Sequence, residues 1–219
     1  MTLQLFGHPF SSYTMKALIA LYENQIPFEF RILGPDQPEN AAELARRWPV
    51  AKFPLLVDGK TTVFETTAII EHLTAFHPGP VSLIPADAKE AVPVRMLDRV
   101  FDNHVMSPMQ TIVSDARRPD EARDPYGVAQ ARTALDTIYK MLDQVLAGRK
   151  WAAGDSFTLA DAAAAPSLFY ADWVHPIDED RATLKAYRAR LLARPSVARC
   201  VDDARPYRPF FPLGAPDRD

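Results

Sequence analysis

The chain has 219 residues, enough for one large domain or two small ones, and with 47% apolar and 24% charged residues its composition is ordinary for a globular protein. A formal charge of -3 without any Lys/Arg run gives no basic field for nucleic acid, and the longest apolar stretch, 162–171, contains Pro166 and is too short to span a bilayer. The lone cysteine, Cys200, excludes an intrachain disulfide, a CxxC redox pair and a cysteine-based metal cluster, so no metal, nucleic-acid or membrane partner is expected, and without a basic-then-apolar leader the expected location is the cytoplasm.

A short strand over 2–6 is followed by His8-Pro9-Phe10-Ser11-Ser12-Tyr13 and then by Met15, Leu18, Ile19 and Tyr22, which share one face of a helix over 12–24. Ser11 and Ser12 therefore stand at a strand-to-helix turn, where free backbone N–H groups and the positive end of the helix dipole favour an anion. A strand over 28–32 and a helix over 39–46 come next. Phe53-Pro54 then precedes a strand over 55–58, which turns at Asp58-Gly59 into a strand over 61–64. Pro54 cannot donate to a sheet ladder, so it belongs at the start of its strand. A cis bond before it would present the Phe53 backbone to an extended peptide, which would pair like an added strand.

Glu65 and Thr66 open a helix over 67–76 carrying Ile69, Leu73 and Phe76 on one face, with Thr66 as the expected N-cap. Free N–H groups there suit a carboxylate, and the Glu65 carboxylate suits an ammonium. The three stretches together describe a pocket for a small anionic peptide. The order βαβαββα is the thioredoxin-like arrangement.

His77-Pro78-Gly79-Pro80 breaks the pattern, and 79–87 reads as a linker between a first domain over 1–78 and an all-helical C-terminal bundle over 88–219. Val94, Leu97, Phe101 and Val105 share a face of one long helix there, and Leu135, Ile138, Leu142 and Val145 a face of another. Thr158 and Asp161 form a capping box with Phe157 as staple, a folding signal rather than part of a site. Cys200 shares a face with Val197, Val201 and Ala204 and reads as packing. The segment 205–212, rich in proline and aromatics, is expected to be non-helical and to fold back over the domain interface.

Phe53-Pro54-Leu55-Leu56 followed by Glu65-Thr66-Thr67-Ala68-Ile69-Ile70-Glu71-His72-Leu73 resembles the glutathione-site motif of the cytosolic glutathione transferases. The likeness is to the serine-dependent bacterial kind, with a zeta-, phi- or theta-like N-terminal motif, and it spans nearly the whole chain. Thr66 keeps the hydroxyl of the usual serine; His72 replaces the usual tyrosine and is expected on the packing side of its helix.

The resemblance implies a detoxifying transferase that activates the thiol of glutathione, its co-substrate, for attack on a small apolar electrophile. The alternative is a non-catalytic member of the fold that only binds glutathione or serves as a scaffold. The resemblance puts Ser11 first as thiol activator, counting back from Lys16, with Ser12 in support and Tyr13 a third candidate. Phe10, Tyr13, Lys52, Phe53, Pro54, Glu65 and Thr66 are expected around glutathione. The electrophile is expected where the first domain faces the bundle, near His104, Phe169, Trp173 and Phe211, with Phe10 and Tyr13 also in reach and Asp102 and Asn103 as unranked additions. A homodimer is implied, the first domain of each copy against the bundle of the other.

Overall fold

The computed structural model describes residues 2–219. Its first part runs β1 (Leu3–Gly7), α1 (Ser12–Glu23), β2 (Phe28–Ile32), α2 (Pro38–Arg47), β3 (Leu55–Asp58), β4 (Thr61–Phe64) and α3 (Thr66–Phe76). The strands form one mixed sheet in the order β2-β1-β3-β4, with β1 parallel to β2 and antiparallel to β3. This is the thioredoxin-like arrangement expected from the sequence.

Alternation along the strands divides the side chains between two faces. Leu3, Leu5 and Leu56 turn to the core shared with α1, α3 and the bundle, while Phe6, Leu55 and Val57 meet Leu44 of α2 on the other face. Gly7, at the end of β1, lies so close to α1 that a Cβ there would come within 2.6 Å of the Thr14 side chain. A glycine there lets the end of the strand approach the first turn of the helix this closely.

The second part is helical: α4 (Ala88–Val100), α5 (Ser107–Ala116), α6 (Pro125–Val145), α7 (Leu159–Val174), α8 (Ala182–Leu192) and α9 (Pro195–Ala204). A π-helical turn, Phe101–Met106, joins α4 to α5 without a break. Two features accompany the widened turn: Pro108 has no N–H for the ordinary ladder, and the Ser107 hydroxyl donates to the Asp102 carbonyl at 3.0 Å. Val94, Leu97, Phe101 and Val105 are all buried, as their spacing predicts. Among the described residues no helix is long and apolar enough to cross a membrane.

Every residue of α7 is buried, and α1 packs directly against it. At the head of α7 the Asp161 carboxylate reaches back to the Thr158 N–H at 2.9 Å and also accepts from the Ala152 N–H and the Tyr187 hydroxyl, each at 2.7 Å. The expected cap is thus one part of a buried polar knot. The segment expected to be non-helical instead winds into a 3₁₀ helix over Arg205–Phe210, whose shorter turn accommodates Pro206 and Pro209. It still folds back as expected, placing Tyr207 edge-on to His8 at 4.5 Å and burying Phe211.

Candidate active site

The turn between β1 and α1 is built by its own sequence. Pro9 suits the second position of a turn in which the Ser11 N–H donates to the His8 carbonyl at 2.9 Å. The Phe10 N–H donates to His8 Nδ1 at 3.1 Å, so that nitrogen must be unprotonated. Burial lowers the pKa of His8 and favours the same neutral state. Ser11 is the N-cap of α1, its Oγ accepting from the Thr14 N–H at 3.3 Å. Capping uses only a lone pair, so the Ser11 O–H remains available to a ligand.

Ser11 faces a cleft of about 620 Å³. Tyr13, Lys52, Phe53, Pro54, Glu65 and Thr66 line it as well, so the three separated stretches of sequence do converge on one site. The Phe53-Pro54 peptide is cis. Glu65, not Thr66, is the cap residue of α3; Thr66 already lies inside the helix, and Glu65 makes no side-chain cap. Glu65 has φ 67°, a left-handed conformation that is costly for a side chain of this size. Burial, reinforced by Asp102, raises the pKa of Tyr13 to about 12, which keeps its hydroxyl protonated.

A charged cluster reaches the cleft through Arg99 and Asp102. Lys16, almost wholly buried, places Nζ 2.7 Å from Asp102 Oδ2 and 2.5 Å from Asp98 Oδ1, the latter close enough for an ion pair but not aligned as a hydrogen bond. Arg99 bridges the same two carboxylates from the solvent side, and the Thr67 hydroxyl donates to Asp98 at 3.0 Å. Asp102 Oδ1 has no hydrogen-bond partner among the described residues. Asp102 and Asn103 both line the cleft.

A second cavity, of about 430 Å³, adjoins the first and shares Ser11, Phe53, Gln110 and Arg117 with it. Its apolar wall comes from Phe10, Met109, Val113, Tyr170, Phe210 and Phe211. Ser12 lies on this side, accepting from Gln110 Nε2 at 3.3 Å.

Four expected placements are corrected. Phe10 does not line the peptide cleft, but it does line the second cavity, in keeping with its other expected place on the electrophile side, because the turn directs it onto Tyr170, whose hydroxyl donates to the Phe10 carbonyl at 3.0 Å. Phe169 and Trp173 pack against each other at 4.7 Å within the buried helix α7 and line neither cavity. His104 is exposed on the π-helical turn and likewise lines neither. Phe211 does line the second cavity. Gln110, Arg117 and Tyr170 went unrecognised because they are spaced like ordinary helix residues and meet the first domain only in three dimensions.

Two domain families match the chain. Residues 5–81 match the glutathione S-transferase N-terminal domain and residues 102–195 the glutathione S-transferase C-terminal domain. Glutathione S-transferase GstB of Escherichia coli K12 is 26% identical over 200 residues, covering 90% of this chain and 96% of its own. A glutathione S-transferase of Silene vulgaris is 29% identical over 211 residues, covering 90% and 95%. A glutathione S-transferase of Methylobacterium radiotolerans, solved in complex with glutathione sulfonate, superposes with TM-score 0.77 at 29% identity over 92% of this chain and 95% of that one. Two domain models in the expected order and full-length relatives agree: the chain belongs to the glutathione transferase superfamily.

Proposed function

We propose that this protein is a glutathione transferase of the serine-dependent kind, in which Ser11 holds the glutathione sulfur as a thiolate and presents it to an apolar electrophile. One observation carries the reading: Ser11 lines both the polar cleft and the apolar cavity, so a sulfur bound at its hydroxyl would sit where the two meet.

Glutathione complements the cleft along its length. Its backbone would pair with Phe53 beside Pro54, and its carboxylates would meet Lys52 and the first-turn N–H groups of α3. Its ammonium would meet the carboxylates of Glu65 and Asp102. A free cysteine-type thiol has a pKa of ~8.5, and lowering it by two units takes ~2.7 kcal/mol. One hydrogen bond to a charged acceptor contributes ~1.5–3 kcal/mol, so a single hydroxyl can supply most of the shift. The helix dipole at the head of α1 adds a smaller share. The thiol proton leaves to solvent, the sulfur lone pair forms the new bond to carbon, and the leaving group departs with its electron pair.

Exposed Val92 and Met96 on α4, and exposed Val50 and Phe64 on the first part, are apolar surface that supports a homodimer pairing one domain with the other. A first domain over 1–78, a linker over 79–87 and a bundle over 88–219 accord with the absence of helix or strand between Phe76 and Ala88. A cytoplasmic location accords with the chemistry, which needs a reduced thiol.

The test is retention on glutathione-agarose together with conjugation of a chloronitrobenzene by wild type and Ser11→Ala. Retention with a large loss of rate in the variant is expected. Retention with equal trace rates would assign the chain to binding without turnover.

A further inference from the structure

Away from the cleft, at the far end of α3, three side chains converge that the transferase reading does not use. Asp58 ends β3 just before Gly59, whose φ of 58° makes the tight turn into β4. His72 lies near the end of α3, in contact with the Phe76 ring at 4.6 Å. His77 caps the C-terminus of α3, its N–H donating to the Leu73 carbonyl at 2.9 Å. Five residues apart, the two histidines would point to different sides of a continuous helix. Because His77 has already left helical geometry, at φ -134° and ψ 55°, its ring instead swings back beside that of His72.

His72 Nε2 lies 2.9 Å and His77 Nε2 2.7 Å from the same oxygen, Asp58 Oδ2. All three donor atoms fall within 4.8 Å of one another. Their side chains are 11%, 31% and 25% exposed for His72, His77 and Asp58, so the group is sheltered yet open to an entering ion. Two imidazoles and a carboxylate form a donor set suited to zinc, and ligand atoms ~2.0–2.2 Å from a tetrahedral ion stand about 3.3 Å apart. The two histidine–carboxylate separations are somewhat shorter than that value. Small side-chain rotations would reach it without moving the backbone.

We infer that Asp58, His72 and His77 form a binding site for a divalent transition-metal ion, zinc by its chemistry, that ties the β3–β4 hairpin to the end of α3. With one carboxylate and two histidines supplied by the protein, a tetrahedral ion keeps a position for water. The ion is structural and not a cofactor of the thiol chemistry: α3 has 11 residues and spans about 16 Å, with the cleft residues Glu65 and Thr66 at its other end.

The experiment uses the tag-free full chain, stripped with a chelator and titrated with Co²⁺ as a coloured stand-in for zinc. Wild type is expected to take up one ion per chain with intense tetrahedral absorption bands, which added Zn²⁺ bleaches. Zn²⁺ should also raise its thermal midpoint. His72→Phe, which keeps a ring against Phe76, and His77→Ala should each lose the bands and the thermal shift. Retention of both variants on glutathione-agarose shows that they are folded and leaves the cleft out of the result. No uptake by wild type, or uptake unchanged in both variants, overturns the assignment.

Discussion

Lys16 Nζ on α1 lies 2.7 Å from Asp102 Oδ2 on the π-helical turn, joining the helix that carries the serines to the bundle by a buried ion pair. Removing one partner of such a pair leaves the other charge stranded, at a cost of ~3–5 kcal/mol. Because Arg99 also touches both carboxylates, Lys16→Met is expected at the lower end, about 3 kcal/mol, in urea unfolding. Adding Asp102→Asn should recover part of that loss, as expected for residues that share an interaction. Simple additivity of the two would show that the pair is not coupled.

Ser11 caps α1 and, under the proposed function, is also the thiol partner, and the two roles separate in measurement. Ser11→Ala should lose ~1 kcal/mol or less of stability, since its capping contact is long at 3.3 Å. Its larger effect should be on the bound thiolate, whose ultraviolet absorbance should titrate roughly 1–2 pH units higher, with a roughly 10–100-fold slower conjugation. Ser12 accepts from Gln110 on the side of the second cavity, so Ser12→Ala should barely move the titration. The opposite ranking of the two variants would transfer the role to Ser12.

Glu65 holds a backbone conformation that glycine adopts freely. Glu65→Gly should therefore leave the thermal midpoint unchanged or raise stability by up to ~1 kcal/mol, while glutathione affinity, read by calorimetry, falls at least tenfold. Glu65→Gln keeps the strained backbone and should weaken binding without the gain in stability. A glycine variant that binds normally would remove Glu65 from the site.

Asp161 is fully buried and gathers the N–H groups of Ala152 and Thr158 and the hydroxyls of Thr158 and Tyr187. Asp161→Ala strands four donors and should cost at least ~3 kcal/mol, well above an ordinary lost cap. Tyr187→Phe removes one of the four and should cost about 1–2 kcal/mol in the same unfolding assay. Equal losses in the two variants would mean that the cap itself contributes nothing.

Burial lowers the pKa of His8 below its ordinary value of 6.5. Between the two values the unfolded chain binds more protons than the folded one, so the contribution of His8 to stability is fully present above 6.5 and is lost as pH falls through the folded value. Protonated Nδ1 also cannot accept from the Phe10 N–H, which loosens the turn that carries Ser11. His8→Asn supplies a non-titrating acceptor at the same turn. Its stability should be flatter than that of wild type from neutral pH into mild acid; identical profiles would clear His8 of the effect.

The strands and helices of the first part were legible because their signals are local: alternation in Leu3 and Leu5, the Asp58-Gly59 turn, and the face formed by Met15, Leu18 and Ile19. Most residues of the peptide cleft were legible too, since Pro54 opening a strand and the polar pair Glu65-Thr66 heading a helix are local signals, though the cap falls on Glu65 rather than Thr66. The second cavity was legible only in Phe10 and Phe211. Its walls are ordinary aromatic and aliphatic residues, and only the register of α7 decides that Tyr170 faces the first domain while Phe169 and Trp173 pack behind it. The charged cluster was equally hidden, because a lysine and two aspartates 82 and 86 positions away carry no sign in sequence that they will meet.

The strap formed by residues 205–219 is held at its margins by Arg205 and Arg208 on Asp219 and by Arg218 on Asp172. Between these clasps it contributes Phe210, Phe211 and Pro212 to the wall of the second cavity. Under the proposed function, part of the wall that meets the electrophile thus lies some two hundred positions from the serine that activates the sulfur. Mutational drift at Phe210, Phe211 and Pro212 would retune which compounds are admitted, while Tyr207, seated on His8, ties the strap to the turn that carries the serine, so one scaffold can follow a changing chemical environment without surrendering its nucleophile.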